Sequence, residues 1–237
     1  MDRTDATNAL PPSAYVRVAG ASYSFVILVG MMSVSLVDSR LVIPSDAAST
    51  ARNILAHELL FRVGVVGVLA MYAAVVVLSS SLFVVLKAVG ENLARLAMLL
   101  RVSEAILGAA TALLSLTALA LLIGDAQANA IGVERAQALA TLFLDVRTAG
   151  LDVILVFAGS GGAAFCYLFY KSRYVPRLLA AWGIFTYLSM LLLAFVSITF
   201  PRHPVLVETI LYSSGALFEV VFGAWLLFKP VRRAPAS

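Results

Sequence analysis

The stretch RLAMLLRVSEAILGAATALLSLTALALLI, residues 95–123, decides the fold class of this chain. It is an apolar run longer than the ~20 residues that a helix needs to cross a bilayer. Two charged residues, Arg101 and Glu104, lie in its first half. A charged side chain at the bilayer centre costs about 2.5–3.5 kcal/mol on insertion scales, so each of them needs a partner or a function. The stretch therefore predicts a transmembrane helix that carries a buried polar site.

The composition of the whole chain supports this interpretation. Of its 237 residues, 62% are hydrophobic and 13% are charged, whereas a soluble domain is about 45–50% apolar and about 25% charged. The net charge of +4 does not indicate nucleic-acid binding, because the basic residues are scattered through short loops. The single Cys166 excludes an internal disulfide. Since nucleophile elbow, P-loop, dinucleotide fingerprint and zinc-ligand spacing are all missing from the sequence, we expect neither a cofactor nor a metal.

Similar apolar blocks recur along the chain, so we predict an all-α polytopic integral membrane protein with six transmembrane helices. The predicted spans cover residues 15–37, 58–87, 92–123, 150–170, 176–200 and 205–228. Gly90 separates the second span from the third. The spans form one transmembrane domain over residues 15–229, between a flexible tail at 1–14 and a basic tail at 230–237.

Two further segments are too polar to cross a membrane and are predicted to be amphipathic surface helices. The first covers residues 47–57 and follows Asp46, a good N-cap residue. The second, residues 133–147, places Ala136, Leu139 and Leu142 at helical spacing. With six spans, the side of the membrane that holds both termini carries ten Lys and Arg residues and the opposite side carries five. The positive-inside rule therefore predicts cytoplasmic termini and places both amphipathic helices on the extracytoplasmic side.

A rise of ~1.5 Å per residue allows the depth of the polar residues to be estimated. Arg101 comes out roughly 12–14 Å deep and Glu104 roughly 16–18 Å, while Glu219 of the sixth span lies roughly 14 Å from the same side. Tyr23 and Tyr187 fall near the same level by the same count. Arg101 and Glu104 also share a helix face because they are three residues apart. We therefore predict a midplane cluster in which Arg101, Tyr23 and Tyr187 bind a ligand.

In this cluster Glu104 and Glu219 are the catalytic candidates if the protein is an enzyme. Two carboxyl groups around one arginine leave a surplus acid, which can stay protonated and donate its proton. The alternative is a charge cluster that only fixes helix register. A shallower layer on the outer side adds Arg62 and Asp152 as further ligand-binding candidates, although interfacial positions more often serve structure.

Several stretches of the chain resemble a known family. They are VRVAGASY (16–23), SRLVIPSDAASTARNILAHELLFRVG (39–64), LLRVSEAILG (99–108), QALATLFLDVR (137–147), YLFYKSRYVPRLLA (167–180) and FEVVFGAWLLFK (218–229). Taken in order, they resemble the bacterial integral-membrane family catalogued as domain of unknown function 4386. The resemblance implies a six-span protein of the bacterial inner membrane and brings no established reaction. The chain departs from the family pattern at Arg147 and Ser160, where family members tend to carry histidine.

Three functions are consistent with these residues. The first is binding or transport of a small lipophilic or lipid-like molecule between the helices. The second is an intramembrane enzyme that uses a protonated Glu104 or Glu219 as general acid on an isoprenoid substrate, by analogy with small membrane-bound terpene cyclases. The third is a structural subunit of a larger membrane complex. The expected partners are membrane lipids and a possible lipophilic ligand, with no nucleic acid; the sequence indicates no particular protein partner.

Overall fold

The computed structural model describes residues 13–44, 46–124, 131–200 and 205–229, with the backbone alone for 205–213. Every regular element in this part of the chain is a helix. The elements are α1 (Ser13–Met32), a π-helix (Ser33–Asp38), α2 (Ser39–Leu41), α3 (Ala47–Ala56), α4 (Glu58–Ile123), α5 (Val133–Ser172), α6 (Arg177–Thr199) and α7 (Val205–Phe228). The predicted tail 230–237, and the tail 1–14 up to Pro12, lie outside the described residues.

Four stretches of the described chain are long and apolar enough to cross a membrane. They are Ser13–Leu41, Glu58–Ile123, Val133–Ser172 and Arg177–Thr199. Large apolar side chains are exposed along them, including Leu59 (76%), Leu113 (65%) and Leu178 (84%). Soluble monomers rarely expose contiguous apolar patches larger than a few hundred Å². The chain is therefore an apolar helical bundle of the multi-pass membrane type.

The long helix α4 is interrupted at Gly90, as the sequence predicts. Gly90 has φ −177° and ψ 88°, an extended conformation that separates helical segments at 58–89 and 91–123. At ~1.5 Å per residue each segment is roughly 48 Å long, which exceeds the ~30 Å hydrocarbon core of a bilayer. A Cβ added at Gly90 would lie 3.1 Å from Leu168 Cδ2, so a larger residue would press on α5 here.

The first predicted surface helix forms as a separate element, α3. Asp46 caps it by accepting a hydrogen bond from the Ser49 backbone N–H at 2.9 Å, and hydrogen bonds from Ser49 hold the pKa of this carboxyl below its ordinary value. Thr50 ties the helix to the preceding loop, since its hydroxyl accepts from Ile43 N–H at 2.9 Å and donates to Ile43 C=O at 3.2 Å. The predicted N-cap is thus confirmed.

The second predicted surface helix is not separate, which corrects the expected boundary near Thr148. Residues 133–147 are the first part of the 40-residue helix α5, Val133–Ser172. The junction of the two predicted elements, residues 148–150, contains Gly150 but no proline. One interior glycine weakens a helix by only about 1 kcal/mol relative to alanine, so neighbouring helical residues carry the helix through it.

The first predicted span is also extended in the structure. It was expected to end at residue 37, but the helix continues through the π-helix Ser33–Asp38 and α2 to Leu41. It ends at Val42, whose backbone is extended (φ −98°, ψ 114°). Pro44 follows two residues later and cannot continue a helix.

The described residues pack as two compact units, each with its own core. Unit 1 consists of the described parts of 1–27, 73–105 and 152–237, and unit 2 consists of 28–72 and 106–151. Fully buried aromatic side chains form the centre of unit 1, among them Phe165, Phe169 and Phe218. Phe61 and Ile54 occupy the corresponding place in unit 2.

Candidate functional site

The charged pair Arg101 and Glu104 lies in the interior of unit 1. Arg101 Nη1 is 2.8 Å from Glu104 Oε2, and the two side chains are only 5% and 8% exposed. The two atoms are at ion-pair distance, but the N–H is not aligned with Oε2 as in a hydrogen bond. Removing two charges from water costs several kcal/mol per ion, and their attraction repays this cost only when the geometry is good. The pair is therefore a costly feature of the core.

Three more polar side chains form a hydrogen-bonded chain in the same unit. The Tyr187 hydroxyl on α6 donates to Glu219 Oε1 on α7 at 2.9 Å, and the Tyr23 hydroxyl on α1 lies 3.1 Å from the Tyr187 hydroxyl. A hydroxyl carries one proton, so Tyr23 is the donor to Tyr187 when Tyr187 donates to Glu219. Tyr23 and Tyr187 are buried, whereas Glu219 is half-buried. The chain thus runs from the core of the unit to its edge.

The guanidinium of Arg101 connects the pair and the chain electrostatically. Arg101 interacts with Glu104, Tyr187, Tyr23 and Glu219. The structure therefore brings together the five residues that the depth count placed at one level. Their roles in binding or catalysis stay predictions. One arginine faces two carboxyl groups, so the cluster contains one acid more than its cation neutralises when both are ionised.

Small residues on α5 make the space that this cluster occupies. A Cβ added at Gly161 would lie 2.9 Å from Arg101 Cγ, and one at Gly162 would lie 2.5 Å from the Tyr187 ring. At Gly159 the same atom would lie 2.7 Å from the Tyr187 carbonyl oxygen. Runs of small residues let membrane helices approach each other closely. The glycines of α5 therefore let Arg101 and Tyr187 pack directly against the backbone of this helix.

Two phenylalanines on α7 flank the tyrosine rings. Phe222 meets Tyr23 edge-on at 5.5 Å between ring centroids, and Phe218 meets Tyr187 edge-on at 5.9 Å. Edge-to-face pairs of this kind add about 0.5–1.5 kcal/mol beyond the area they bury. Since Glu219 directly follows Phe218, the same helix positions both the rings and the carboxyl group.

Cys166 is a member of this cluster that the sequence analysis does not select. Its thiol is buried in the same hydrophobic core as Tyr23 and Tyr187, and a Cβ added at Gly183 would lie 2.6 Å from its Sγ. Cys166 lies four residues after Gly162, so the two share a face of α5. The signal that would have identified it is therefore its spacing from the glycine run.

Arg62 and Asp152, the outer-layer candidates, are placed differently. Arg62 belongs to unit 2, where its exposed side chain bonds Glu58 Oε1 at 2.6 Å one turn earlier. A surface pair of this kind contributes about 0–1 kcal/mol, and ligand binding by Arg62 stays a prediction. Asp152 is half-buried on α5 in unit 1 and has an interaction partner.

The two departures from the family pattern have definite partners. Arg147 Nη2 donates to Asp38 Oδ1 at 2.7 Å within unit 2, although the two residues are 109 positions apart. Ser160 Oγ donates to the Val156 carbonyl of its own helix at 2.7 Å. Among the described residues, no three of His, Cys, Asp and Glu lie close enough together to hold a metal ion.

Comparison with known proteins gives a family but no described activity. No curated protein matches the sequence, and no solved structure matches it. The family described as Domain of unknown function (DUF4386) matches residues 18–229. This range covers most of the chain and includes all the clustered side chains. The chain belongs to the DUF4386 family, which confirms the resemblance drawn from its motifs.

Proposed function

We propose that this protein crosses the bacterial inner membrane six times with both termini in the cytoplasm. The crossings are the helix Ser13–Leu41, the two segments of α4 on either side of Gly90, and α5, α6 and α7. The distribution of Lys and Arg supports this orientation. This orientation puts α3 on the extracytoplasmic side of the membrane and the turn between α5 and α6 on the cytoplasmic side.

The orientation is tested with single cysteines in a Cys166→Ala background. Ala48 on α3 and Lys171 at the end of α5 are both exposed, so each accepts a cysteine without disturbing the core. A membrane-impermeant maleimide should label Ala48→Cys in intact spheroplasts and Lys171→Cys only after permeabilisation. Equal labelling of the two variants in intact spheroplasts would contradict the six-span topology.

We further propose that the midplane cluster binds the polar group of a small lipid-like molecule that enters from the hydrocarbon. The observation that carries this proposal is the position of Glu219. Glu219 is half-buried at the end of a buried hydrogen-bonded chain, and its neighbours Leu217 and Val220 are 57% and 46% exposed. In a membrane, exposed apolar side chains face lipid. A carboxyl group at this boundary is accessible to a molecule dissolved in the bilayer.

The other cluster residues have supporting roles in this proposal. Arg101, held by Glu104, supplies a fixed positive charge behind the two tyrosines. Tyr187 orients the Glu219 carboxyl group through Oε1, so Oε2 is the oxygen expected to accept from a ligand hydroxyl or amide. A cavity of about 150 Å³ lies in unit 2, and it is lined by neither Glu104 nor Glu219. It therefore gives the alternative of acid catalysis on an isoprenoid no support.

The ligand proposal is tested by identifying the small lipophilic molecules that co-purify with the protein. Glu219→Gln keeps the shape of the side chain but removes its charge, and a hydrogen bond to a charged group is worth about 1.5–3 kcal/mol. We expect a co-purifying species, measured by mass spectrometry of the organic extract, to fall about tenfold or more in this variant. Glu91→Gln is the matched control, because Glu91 is exposed and forms an ion pair with Arg95 one turn later on its own helix. An unchanged extract from a folded Glu219→Gln protein would rule out this binding site.

A further inference from the structure

A cavity of about 150 Å³ lies within unit 2, and none of the residues of the midplane cluster lines it. The π-helix, both segments of α4 and α5 contribute to its wall. Most of the wall is apolar, and its large side chains include Val34, Phe61, Val65, Val68 and Met71. An apolar cavity with a few convergent polar groups is the usual form of a small-molecule site.

The π-helix gives this cavity one of its walls. Four of its six residues, Ser33, Val34, Val37 and Asp38, line the cavity. The wide turn is held at its end by the Ser39 backbone N–H, which bonds the carbonyl oxygens of Val34 and Val37. π-Helical turns are rare and occur frequently at functional sites. Here the turn carries Asp38 to the edge of the cavity.

Asp38 and Arg147 form a charged pair in this mostly apolar wall. Arg147 Nη2 donates to Asp38 Oδ1 at 2.7 Å, and the side chains are 18% (Arg147) and 36% (Asp38) exposed. Within the described part of the chain this is the hydrogen bond that Arg147 makes, although a guanidinium has five N–H groups. The pair therefore offers unused donors beside a carboxylate acceptor. Because its charges balance, it suits a neutral group that both donates and accepts.

Two hydroxyl groups of the wall, those of Thr111 and Ser115, form hydrogen bonds with carbonyl groups of their own helix. Thr111 Oγ1 donates to the Gly108 carbonyl at 2.6 Å, and Ser115 Oγ donates to the Thr111 carbonyl at 3.5 Å. Hydroxyls that bond back to their own helix present little polarity to a neighbour. Asp38 and Arg147 are the charged residues among those that line the cavity, so the polar end of a bound molecule should lie at this pair.

We propose that this cavity binds a small neutral alcohol, with its hydroxyl between Arg147 and Asp38 and its apolar body against the valine and phenylalanine wall. An apolar cavity of roughly 150 Å³ is large enough for benzene, so an apolar body of about six carbon atoms fits it. In this arrangement Arg147 donates to the alcohol oxygen, and the alcohol donates to the Asp38 carboxylate. This second site is independent of Glu219 and of the function proposed for the midplane cluster.

The test uses 4-fluorobenzyl alcohol as the probe and the full chain in lipid nanodiscs, with empty nanodiscs to subtract partitioning into lipid. Binding is measured by the 19F line width and shift during titration. Val68→Phe should fill the cavity and weaken binding at least about tenfold, because Val68 lines it. Val66→Phe is the matched control, since Val66 is on the same helix and 65% exposed. The loss of probe binding caused by Val68→Phe should be the same in a Glu219→Gln background, which separates this site from the midplane cluster.

The polar contact is tested with a second probe, 4-fluorotoluene, which lacks the hydroxyl. Wild-type protein should prefer the alcohol about tenfold or more, and Arg147→Met should remove this preference. Equal binding of the two probes to the wild type, or undiminished alcohol binding by Val68→Phe, would overturn the proposal. If Val68→Phe does not fold, as judged by tryptophan fluorescence on heating, Ala112→Leu fills the cavity from the second segment of α4 and replaces it.

Discussion

At the scale of single residues, Tyr187 is the centre of the buried cluster. Its hydroxyl links Tyr23 and Glu219, its ring fills the space left by Gly162, and its side chain is almost fully buried. Tyr187 thus takes part in both the packing and the hydrogen bonding of the site. The hydroxyl and the ring therefore make contributions that mutation can separate.

Replacing Tyr187 with phenylalanine keeps the ring and removes both hydrogen bonds. The Tyr23 hydroxyl and Glu219 Oε1 then lose their partner, and each unsatisfied buried group costs about 1–3 kcal/mol. We expect Tyr187→Phe to lower the free energy of unfolding by about 2–4 kcal/mol in an SDS titration of micellar protein. Tyr23→Phe leaves the Tyr187–Glu219 bond intact and should cost only about 1 kcal/mol. If the two variants are equally stable, the chain of hydrogen bonds does not contribute as described.

At the scale of elements, the close approach of α5 to its neighbours depends on glycines. Gly159, Gly161 and Gly162 each occupy a position where a Cβ would meet another atom at 3.0 Å or less. The same helix then carries Cys166 into the cluster one turn later. Substitution in this run should therefore change the site through helix packing, without removing any of its polar groups.

We expect Gly162→Ala to destabilise the protein by about 1–3 kcal/mol, the usual effect of an added methyl group in a filled core. The added carbon would lie 2.5 Å from the Tyr187 ring. Gly67→Ala is the matched control, because a Cβ there meets Val29 Cγ1 at an ordinary 3.5 Å. Alanine favours a helix over glycine by about 1 kcal/mol, so the control should be neutral or more stable. Both are measured by the same SDS titration, and equal stability of the two variants would disprove the packing argument.

At the scale of the whole molecule, polarity is distributed differently from that of a soluble protein. Apolar side chains such as Leu178 and Phe228 are exposed, while the ion pair of Arg101 and Glu104 is buried. Breaking a buried pair by removing one partner costs about 3–5 kcal/mol, but replacing both partners by apolar or neutral groups is often nearly neutral. The stability of the bundle therefore depends on the balance of buried charge.

A double-mutant cycle tests this balance. Arg101→Met leaves two carboxyl groups without their cation and should destabilise the protein by about 3–5 kcal/mol, with reduced yield in the membrane fraction. Arg101→Met combined with Glu104→Gln should recover a large part of this loss. The cycle is measured by unfolding and by membrane yield. Simple additivity of the two single effects would show that the residues do not act as a pair.

The sequence predicts those features that depend on position along a helix. A constant rise per residue and a bilayer of fixed thickness assign a depth to each residue. For this reason the five clustered residues could be grouped, and the break at Gly90 and the cap at Asp46 could be placed. These signals are local, or depend on depth alone.

Features that depend on rotation about the helix axis, or on pairing between distant segments, could not be predicted in this way. Cys166 and the Asp38–Arg147 pair are of this kind, because depth does not determine which helix faces which. The continuity of α5 through Gly150 was also missed. A single glycine signals a boundary only when no strong helix former surrounds it.

The division into two units has a consequence for the order in which they can fold during synthesis. Unit 2 is complete in sequence at residue 151, whereas the core of unit 1 needs Phe218, Phe222 and Leu226. Ribosomes add roughly 5–20 residues per second, so unit 2 has roughly 4–15 seconds to close before unit 1 can. During this interval Arg101 and Glu104 are already synthesised but lack Tyr187 and Glu219. Arg101 and Glu104 are three residues apart on one helix, so each has the other as an ion-pair partner from the start.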